Sequence, residues 1–199
     1  MNTKGFVICE YEKVKEEFPE FLNSMATLEA KLTSLCLADW SPLTYGGIHP
    51  KAGQFGKSTI MPELFYGFGQ VAPTLTSWST YATATGHQGL MSGSNQLNIF
   101  EDYKIGLAGF AFLDKTQRIT EYKLQIGDRK FPRINVEESF VYNKPAMIFE
   151  TGIIVDEETE FDLHGYVECI GPYKMCPLGI QMNRVPNKLQ SSQTSTALM

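Results

Sequence analysis

The sequence predicts a mainly β fold, an antiparallel β-sandwich or jelly roll with an N-terminal amphipathic helix. Only the first forty residues carry a helical apolar stripe, and the middle of the chain is rich in Gly, Ser, Thr and aromatic residues. From residue 97 onward, short strand-like runs alternate with Gly and Pro turns, which is typical of sandwiches. We therefore divide the chain into a helical arm or packing helix (residues 1–40), a β domain (41–186) and a flexible tail (187–199).

Length and charge limit the classes of function. The 199 residues fit one domain. The net charge of −5 argues against direct nucleic-acid binding, because phosphate affinity comes chiefly from Lys and Arg. No apolar run approaches the roughly 20 residues that span a bilayer, and the first ten residues become acidic too soon for a secretory signal. We expect no transmembrane segment and no signal peptide.

The predicted helix rests on an apolar stripe with alternating spacings of four and three residues, which places its members on one helix face. Pro19 suits the first turn, and Ser41-Pro42 ends the helix near Ala38. The stripe packs either on the core of its own domain or on a neighbouring subunit. Acidic flanks disfavour a membrane-surface helix. The stripe, as a possible subunit interface, consists of Val14, Phe18, Phe21, Met25, Leu28, Leu32 and Leu35.

The middle segment is poor in charge. Between residues 41 and 100 the only charged side chains, histidine aside, are Lys51, Lys57 and Glu63, which indicates a surface covered by other subunits or burial within the domain. Its aromatic residues form the core, a subunit interface, or a platform for a sugar or another ligand. These aromatics are Phe65, Tyr66, Phe68, Trp78 and Tyr81.

Strands are clearer from residue 97. Leu97 and Ile99 predict one strand, and the apolar residues from Ile105 to Phe112 predict the next, with a break near Glu101-Asp102. The run from Gln117 to Ile126 predicts a further strand.

Two hairpins are expected after that strand. Gly127-Asp128 suits a type II′ turn into a return strand that reaches Val136, where Pro132 indicates an edge or a bulge. A second hairpin is predicted from Ala146–Val155 and Phe161–Ile170 around an acidic loop, with a bulge at Gly165.

The residues that could carry chemistry do not form a known motif. The histidines, His49, His87 and His164, are far apart and lack a His-x-His pair, and no Gly-x-Ser-x-Gly elbow occurs. No Cys-x-x-Cys pair occurs either, so reduced thiols are favoured, with a Cys169–Cys176 disulfide as the alternative. We predict no enzyme, no cofactor and no metal site. An enzyme whose site is assembled from dispersed residues stays an alternative.

Two stretches resemble jelly-roll capsid proteins of tailless icosahedral double-stranded DNA viruses. In Tyr122–Ile134 a strand leads into a Gly turn and then a basic residue with Pro, and Phe161–Glu168 resembles a closing strand. The resemblance implies jelly rolls that stand side by side in capsomers, terminal arms that clamp neighbours, and no active site. It also implies a place in the virion after synthesis in the host cytoplasm.

The sequence as a whole therefore predicts a self-assembling structural protein, a viral capsid subunit. The expected partners are copies of itself, other shell proteins and a membrane layer. The alternative is a β-sandwich module that binds carbohydrate or a protein partner.

Overall fold

The protein is described here by a computed structural model, which covers residues 6–9, 19–40, 55–67, 78–93, 97–112, 118–137 and 146–184. It is mainly β, with two antiparallel sheets and a helix. The predicted tail, residues 10–18 of the predicted arm, Phe68 and His49 lie outside the described residues, whereas Phe6–Cys9 of that arm is a strand and not part of a helix.

Helix α1 spans Pro19–Asp39, which confirms the start at Pro19 and the predicted end within one residue. A backbone hydrogen bond of 3.0 Å from the Trp40 N–H to the Cys36 carbonyl closes its last turn. One face of the helix is buried by Leu28, Leu32 and Cys36, which are spaced four residues apart and so follow one side.

The first sheet, called sheet I, has six strands in the order β1-β10-β6-β12-β2, with β4 also paired to β12. The strands are β1 (Phe6–Cys9), β2 (Phe55–Thr59), β4 (Ser79–Ala82), β6 (Tyr103–Phe112), β10 (Ala146–Val155) and β12 (Gly171–Arg184). A short 3-10 helix, Pro62–Leu64, follows β2.

The second sheet, called sheet II, has six strands in the order β3-β5-β11-β7-β8, with β9 also paired to β7. The strands are β3 (Phe65–Gly67), β5 (Gly86–Gly93), β7 (Ile119–Ile126), β8 (Arg129–Lys130), β9 (Ile134–Asn135) and β11 (Phe161–Val167).

The inner faces of the two sheets share one core of buried side chains, in a sandwich-like arrangement. The Tyr173 hydroxyl of sheet I donates a hydrogen bond of 3.1 Å to the Leu90 carbonyl of sheet II. The Phe112 ring of sheet I stacks on the Tyr122 ring of sheet II, with the centroids 5.2 Å apart. Aromatic pairs at this spacing add stability beyond the area they bury.

Helix α1 covers the opposite face of sheet I, where it contacts β6, β10 and β12. Leu32 and Cys36 form a second buried cluster there with Ile180 and Met182 of β12. Glycine lets the helix approach the sheet, because a Cβ at Gly152 would overlap the Leu28 side chain. The central strand β6 is therefore buried on both faces.

Two of the strand predictions are wrong. Ala146–Val155 and Phe161–Val167 are strands, but they lie in different sheets and do not form a hairpin. The acidic loop between them crosses from sheet I to sheet II. Leu97 and Asn98 form only isolated bridges, and Leu97 has φ +76°, which interrupts a regular strand.

Other local predictions are confirmed. Gly127 and Asp128 form the turn from β7 into β8, and Gly127 has φ +53°, as a type II′ turn requires at its first central residue. The return strand is split into β8 and β9 around Pro132, because proline cannot donate a ladder hydrogen bond. The bulge predicted at Gly165 is displaced: the register of β11 shifts between Leu163 and His164 against β5 and between Tyr166 and Val167 against β7.

Candidate functional site on the outer face of sheet II

Sheet II presents a polar face away from the core. On β11, Phe161, Leu163 and Val167 point into the core. The side chains that alternate with them, Asp162, His164 and Tyr166, therefore point outward. Cross-strand register places His164 opposite Lys123 of β7 and opposite Gly89 of β5.

The row at Tyr166 runs across three strands. Tyr166 lies opposite Glu121 on β7 and opposite His87 on β5. The His87 and Tyr166 rings meet edge to face with their centroids 5.1 Å apart. Tyr166 is 41% exposed, so one of its surfaces is open to solvent.

A hollow of about 150 Å³ lies among these strands. Strands β5, β7 and β11 supply six of its residues, and the segment between β8 and β9 supplies Arg133. The side chains that line it are His87, Glu121, Lys123, Gln125, Arg133 and His164, and the backbone of Gly165 completes the wall. We call this site the sheet II hollow.

Two contacts fix the side chains of the hollow. His164 Nε2 lies 2.6 Å from Asp162 Oδ2, which orients the imidazole ring. Arg133 Nη1 lies 3.3 Å from Glu121 Oε1. Asp162 Oδ1 is buried and has no hydrogen-bond partner among the described residues.

Gly165 sets the shape of the hollow floor. A Cβ at this position would lie 2.5 Å from Leu90 Cδ1 and 2.8 Å from the Glu121 carbonyl oxygen. Only glycine therefore allows the neighbouring strands to pack this closely.

The lining groups suit recognition of a polar molecule. Carboxylate oxygens accept hydrogen bonds, ammonium and guanidinium groups donate them, and amide and imidazole groups do both. Within the described residues no group of three or more His, Cys, Asp or Glu side chains is placed to hold a metal ion.

A second charged cluster surrounds Lys104, which is only 1% exposed. Its Nζ lies 2.8 Å from Asp39 Oδ2 at the end of α1 and 3.7 Å from Glu157 Oε1 in the crossing loop, and it also pairs with Asp156. The ammonium sits 5.6 Å from the centroid of the Trp40 ring, a favourable cation–π distance. We call this group the Lys104 cluster.

Hydrogen bonds extend the Lys104 cluster. The Trp40 indole N–H donates to both Glu157 carboxylate oxygens, with Nε1 3.2 Å from each. The Asp102 N–H donates to Glu157 Oε2 at 3.1 Å. Burial works to lower the pKa of Lys104, but the hydrogen bonds and charges of Asp156, Asp39 and Glu157 outweigh it and raise that pKa. The cluster ties the helix end and the crossing loop to sheet I.

The thiols differ in environment. Cys36, Cys169 and Cys176 are free in the structure, with Cys36 buried and Cys169 exposed. Burial raises the pKa of the Cys36 thiol to about 12 and that of Cys176 to about 11. Both stay protonated and unreactive at neutral pH.

The structure separates the aromatic residues that the sequence grouped together. Phe65 is buried and its ring meets the Phe161 ring at 5.0 Å, so it belongs to the core, one of the three environments expected for these aromatics. Trp78 packs beside Phe65 at 5.8 Å, and Tyr81 is exposed. Tyr66 belongs to β3.

The helix stripe is also divided. Leu28 and Leu32 are buried against sheet I of their own chain, so in this fold they do not face a neighbouring subunit. Met25 packs against the same cluster, Leu35 is half-buried and Phe21 lies in the first turn. Val14 and Phe18 lie outside the described residues.

Sequence reasoning missed the sheet II hollow. It treated His87 and His164 as distant residues, whereas pairing of β5 with β11 brings both to one hollow. The signal was the alternation of polar residues in Glu121-Tyr122-Lys123-Leu124-Gln125 and Asp162-Leu163-His164, which defines a polar face but not its partners.

Comparison with known proteins finds no matching family model, no matching curated protein and no matching solved structure. None of the helices in the described part of the chain is both long and apolar enough to cross a membrane.

Proposed function

We propose that the chain is a structural subunit of a viral capsid, built on a jelly roll, that assembles with copies of itself. The observation that carries the proposal is the order of eight strands. In chain order they are β2, β5, β6, β7, β9, β10, β11 and β12, and they are divided between the two sheets.

The division between the sheets supports the proposed jelly roll. In sheet I the first, eighth, third and sixth of these strands are neighbours, as β2-β12-β6-β10. In sheet II the second, seventh, fourth and fifth are neighbours, as β5-β11-β7-β9. A jelly roll arises when two nested Greek keys distribute eight strands in this way. Strands β1, β3, β4 and β8 are then additions to it.

Jelly rolls serve in capsids, lectins and metal-binding cupins. The described core between the sheets is lined by apolar side chains such as Leu107, Phe110 and Leu124, whereas a cupin site needs metal ligands inside its barrel. A filled interior leaves function to the outer faces, edges and termini, and this arrangement favours a shell subunit. The net charge of −5 favours protein or membrane layers over naked genome as its inner neighbours.

The proposal is tested by the mass of the native protein. We expect light scattering and electron microscopy of the purified chain to reveal capsomer-sized or larger particles. Obligate interfaces of this kind exceed about 2,000 Å², so the particles should survive dilution. A monomer of 22.3 kDa at every protein and salt concentration would contradict the proposal.

The predicted arms give a second test. Chains in which residues 10–18 are replaced by a Gly/Ser segment of equal length, which leaves β1 in place, or that lack residues 187–199, should fold but assemble less completely, because the arms are proposed to clamp neighbours. Replacing 187–199 with a Gly/Ser segment of equal length serves as the control for chain length. Unchanged assembly of all three variants would remove the arms from the proposal.

A further inference from the structure

We propose that the sheet II hollow binds one ring of a neutral sugar, such as the terminal residue of a glycan. This inference does not depend on whether the chain assembles into a shell. It rests on the size, charge balance, rim and rigidity of the hollow.

The size admits a small ring. Pockets for drug-sized ligands start at about 300 Å³, whereas the hollow measures about 150 Å³. It opens on an exposed sheet face, since the His164 side chain is 45% exposed. A single ring can therefore enter while the rest of a glycan stays in solvent.

The charge balance favours a neutral ligand. The two cations of the hollow, Lys123 and Arg133, are matched in number by the carboxylates of Glu121 and of the adjacent Asp162, and Glu121 Oε1 lies 3.3 Å from Arg133 Nη1. An anion site would instead offer uncompensated basic groups or a row of backbone N–H groups. The mixed donors and acceptors of Glu121, Lys123 and Gln125 match the alternating hydroxyl groups of a sugar, each of which both donates and accepts.

The rim supplies an aromatic surface. Tyr166 is 41% exposed, and its edge-to-face contact with His87 restrains its ring beside the hollow. The C–H face of a sugar packs well on an aromatic ring that is apolar in the middle and polar at its tip. The polar wall and the aromatic rim together provide both kinds of contact.

The site is rigid before a ligand arrives. Its side chains stand largely on paired strands, and Asp162 and Glu121 hold His164 and Arg133 in place. Preorganisation of this kind lowers the entropic cost of binding.

Saturation-transfer difference NMR tests the proposal, because it observes the sugar and works with large assemblies. The probes are the methyl glycosides of glucose, galactose, mannose and N-acetylglucosamine at millimolar concentration. We expect at least one of them to receive saturation. The variants Gln125→Ala and Tyr166→Ala should each weaken its binding at least tenfold, whereas Lys174→Ala, an exposed change on sheet I, should not alter it.

Three results would overturn the inference. In the first, no sugar of the panel receives saturation. In the second, the saturation of the sugar is unchanged in both hollow variants. In the third, inorganic phosphate competes with the sugar and abolishes its signal. Circular dichroism of each variant checks its fold. If Tyr166→Ala unfolds, Gln125→Ala alone decides, because Gln125 is a half-buried polar residue on the outer face of the sheet and not part of the apolar core.

Discussion

Side chains alternate between the two faces of both sheets, but the two sheets differ in what covers their outer faces. Sheet I buries apolar side chains on both faces, with sheet II against one and helix α1 against the other. Sheet II is apolar only toward the core, and its outer face carries the hollow. A sheet covered on both sides stabilises the domain, whereas a sheet with one open face is free to carry polar groups that serve recognition.

The difference also appears in how charge is placed. In sheet I the Lys104 ammonium is buried and surrounded by carboxylates. In sheet II, Lys123 and Arg133 stand near solvent at the hollow. Removing a buried charge leaves its partners without compensation and lowers the free energy of unfolding, whereas removing an exposed charge changes that free energy little. Substitutions on the two sheets should therefore differ sharply in their effect on stability.

The largest effect is expected for Lys104→Ala. It leaves Asp39, Asp156 and Glu157 facing one another without a cation, and we expect the free energy of unfolding to fall by about 3 kcal/mol. Denaturant unfolding measures the change. Lys104→Met, which keeps most of the volume, should recover little of the loss, and the exposed control Lys174→Ala should change stability by less than about 0.5 kcal/mol. A loss as small as that of the control would mean that the cluster does not anchor the helix.

Alkaline pH should lower the free energy of unfolding by a smaller amount, because the Cys36 thiol is buried. Its ordinary thiol pKa of 9.0 rises to about 12 in the folded protein, so above pH 9 the unfolded state loses a proton that the folded state keeps. Stability should then fall as pH rises, by about 2 kcal/mol at pH 10.5. Urea unfolding between pH 8 and 10.5 should give a shallower decline for Cys36→Ala than for wild type.

The matched control for this pH effect is Cys169→Ala, because Cys169 is exposed. It should decline with pH as steeply as the wild type. Equal slopes for all three proteins would show that burial of Cys36 does not contribute to the alkaline loss.

The next effect tests how closely the helix lies on sheet I. In Gly152→Ala the added methyl overlaps Leu28, so the helix must shift, at a cost of about 1 to 2 kcal/mol. Thermal melting measures the change, with Thr151→Ala at the neighbouring exposed position as the control. A Gly152→Ala variant as stable as that control would show that the helix moves on the sheet without penalty.

The smallest effect is expected on sheet II. Lys123→Ala removes an outward side chain of the hollow and should change the free energy of unfolding by less than about 0.5 kcal/mol. Denaturant unfolding beside Lys104→Ala gives the comparison directly. If Lys123→Ala lowered the free energy of unfolding as much as Lys104→Ala does, the proposed difference between the two sheets would be wrong.

Local features were predictable because they depend on nearby residues. The spacing of Leu28 and Leu32, the proline at residue 19 and the Gly127-Asp128 turn each act within a few positions. They gave the helix and the β7–β8 hairpin with nearly correct bounds.

Pairing between distant strands was not predictable in the same way. The acidic loop after Val155 looked like a hairpin tip, but Lys104 and Trp40, both far away in sequence, hold Asp156 and Glu157 where the chain changes sheet. The hollow likewise needs His87 beside Tyr166, a contact between residues far apart in the chain. Periodicity indicates which face a residue takes and not which strand lies next to it.

The position of β12 has a consequence for synthesis on the ribosome. Strand β12 lies between β6 and β2, and Ile180 pairs with Thr59 although it is made more than a hundred residues later. Until β12 has emerged, these edges of β2 and β6 stay without their neighbour, and such edges invite association with other chains. Completion of sheet I is therefore a late step, and a chaperone that shields these edges should raise the yield of folded protein.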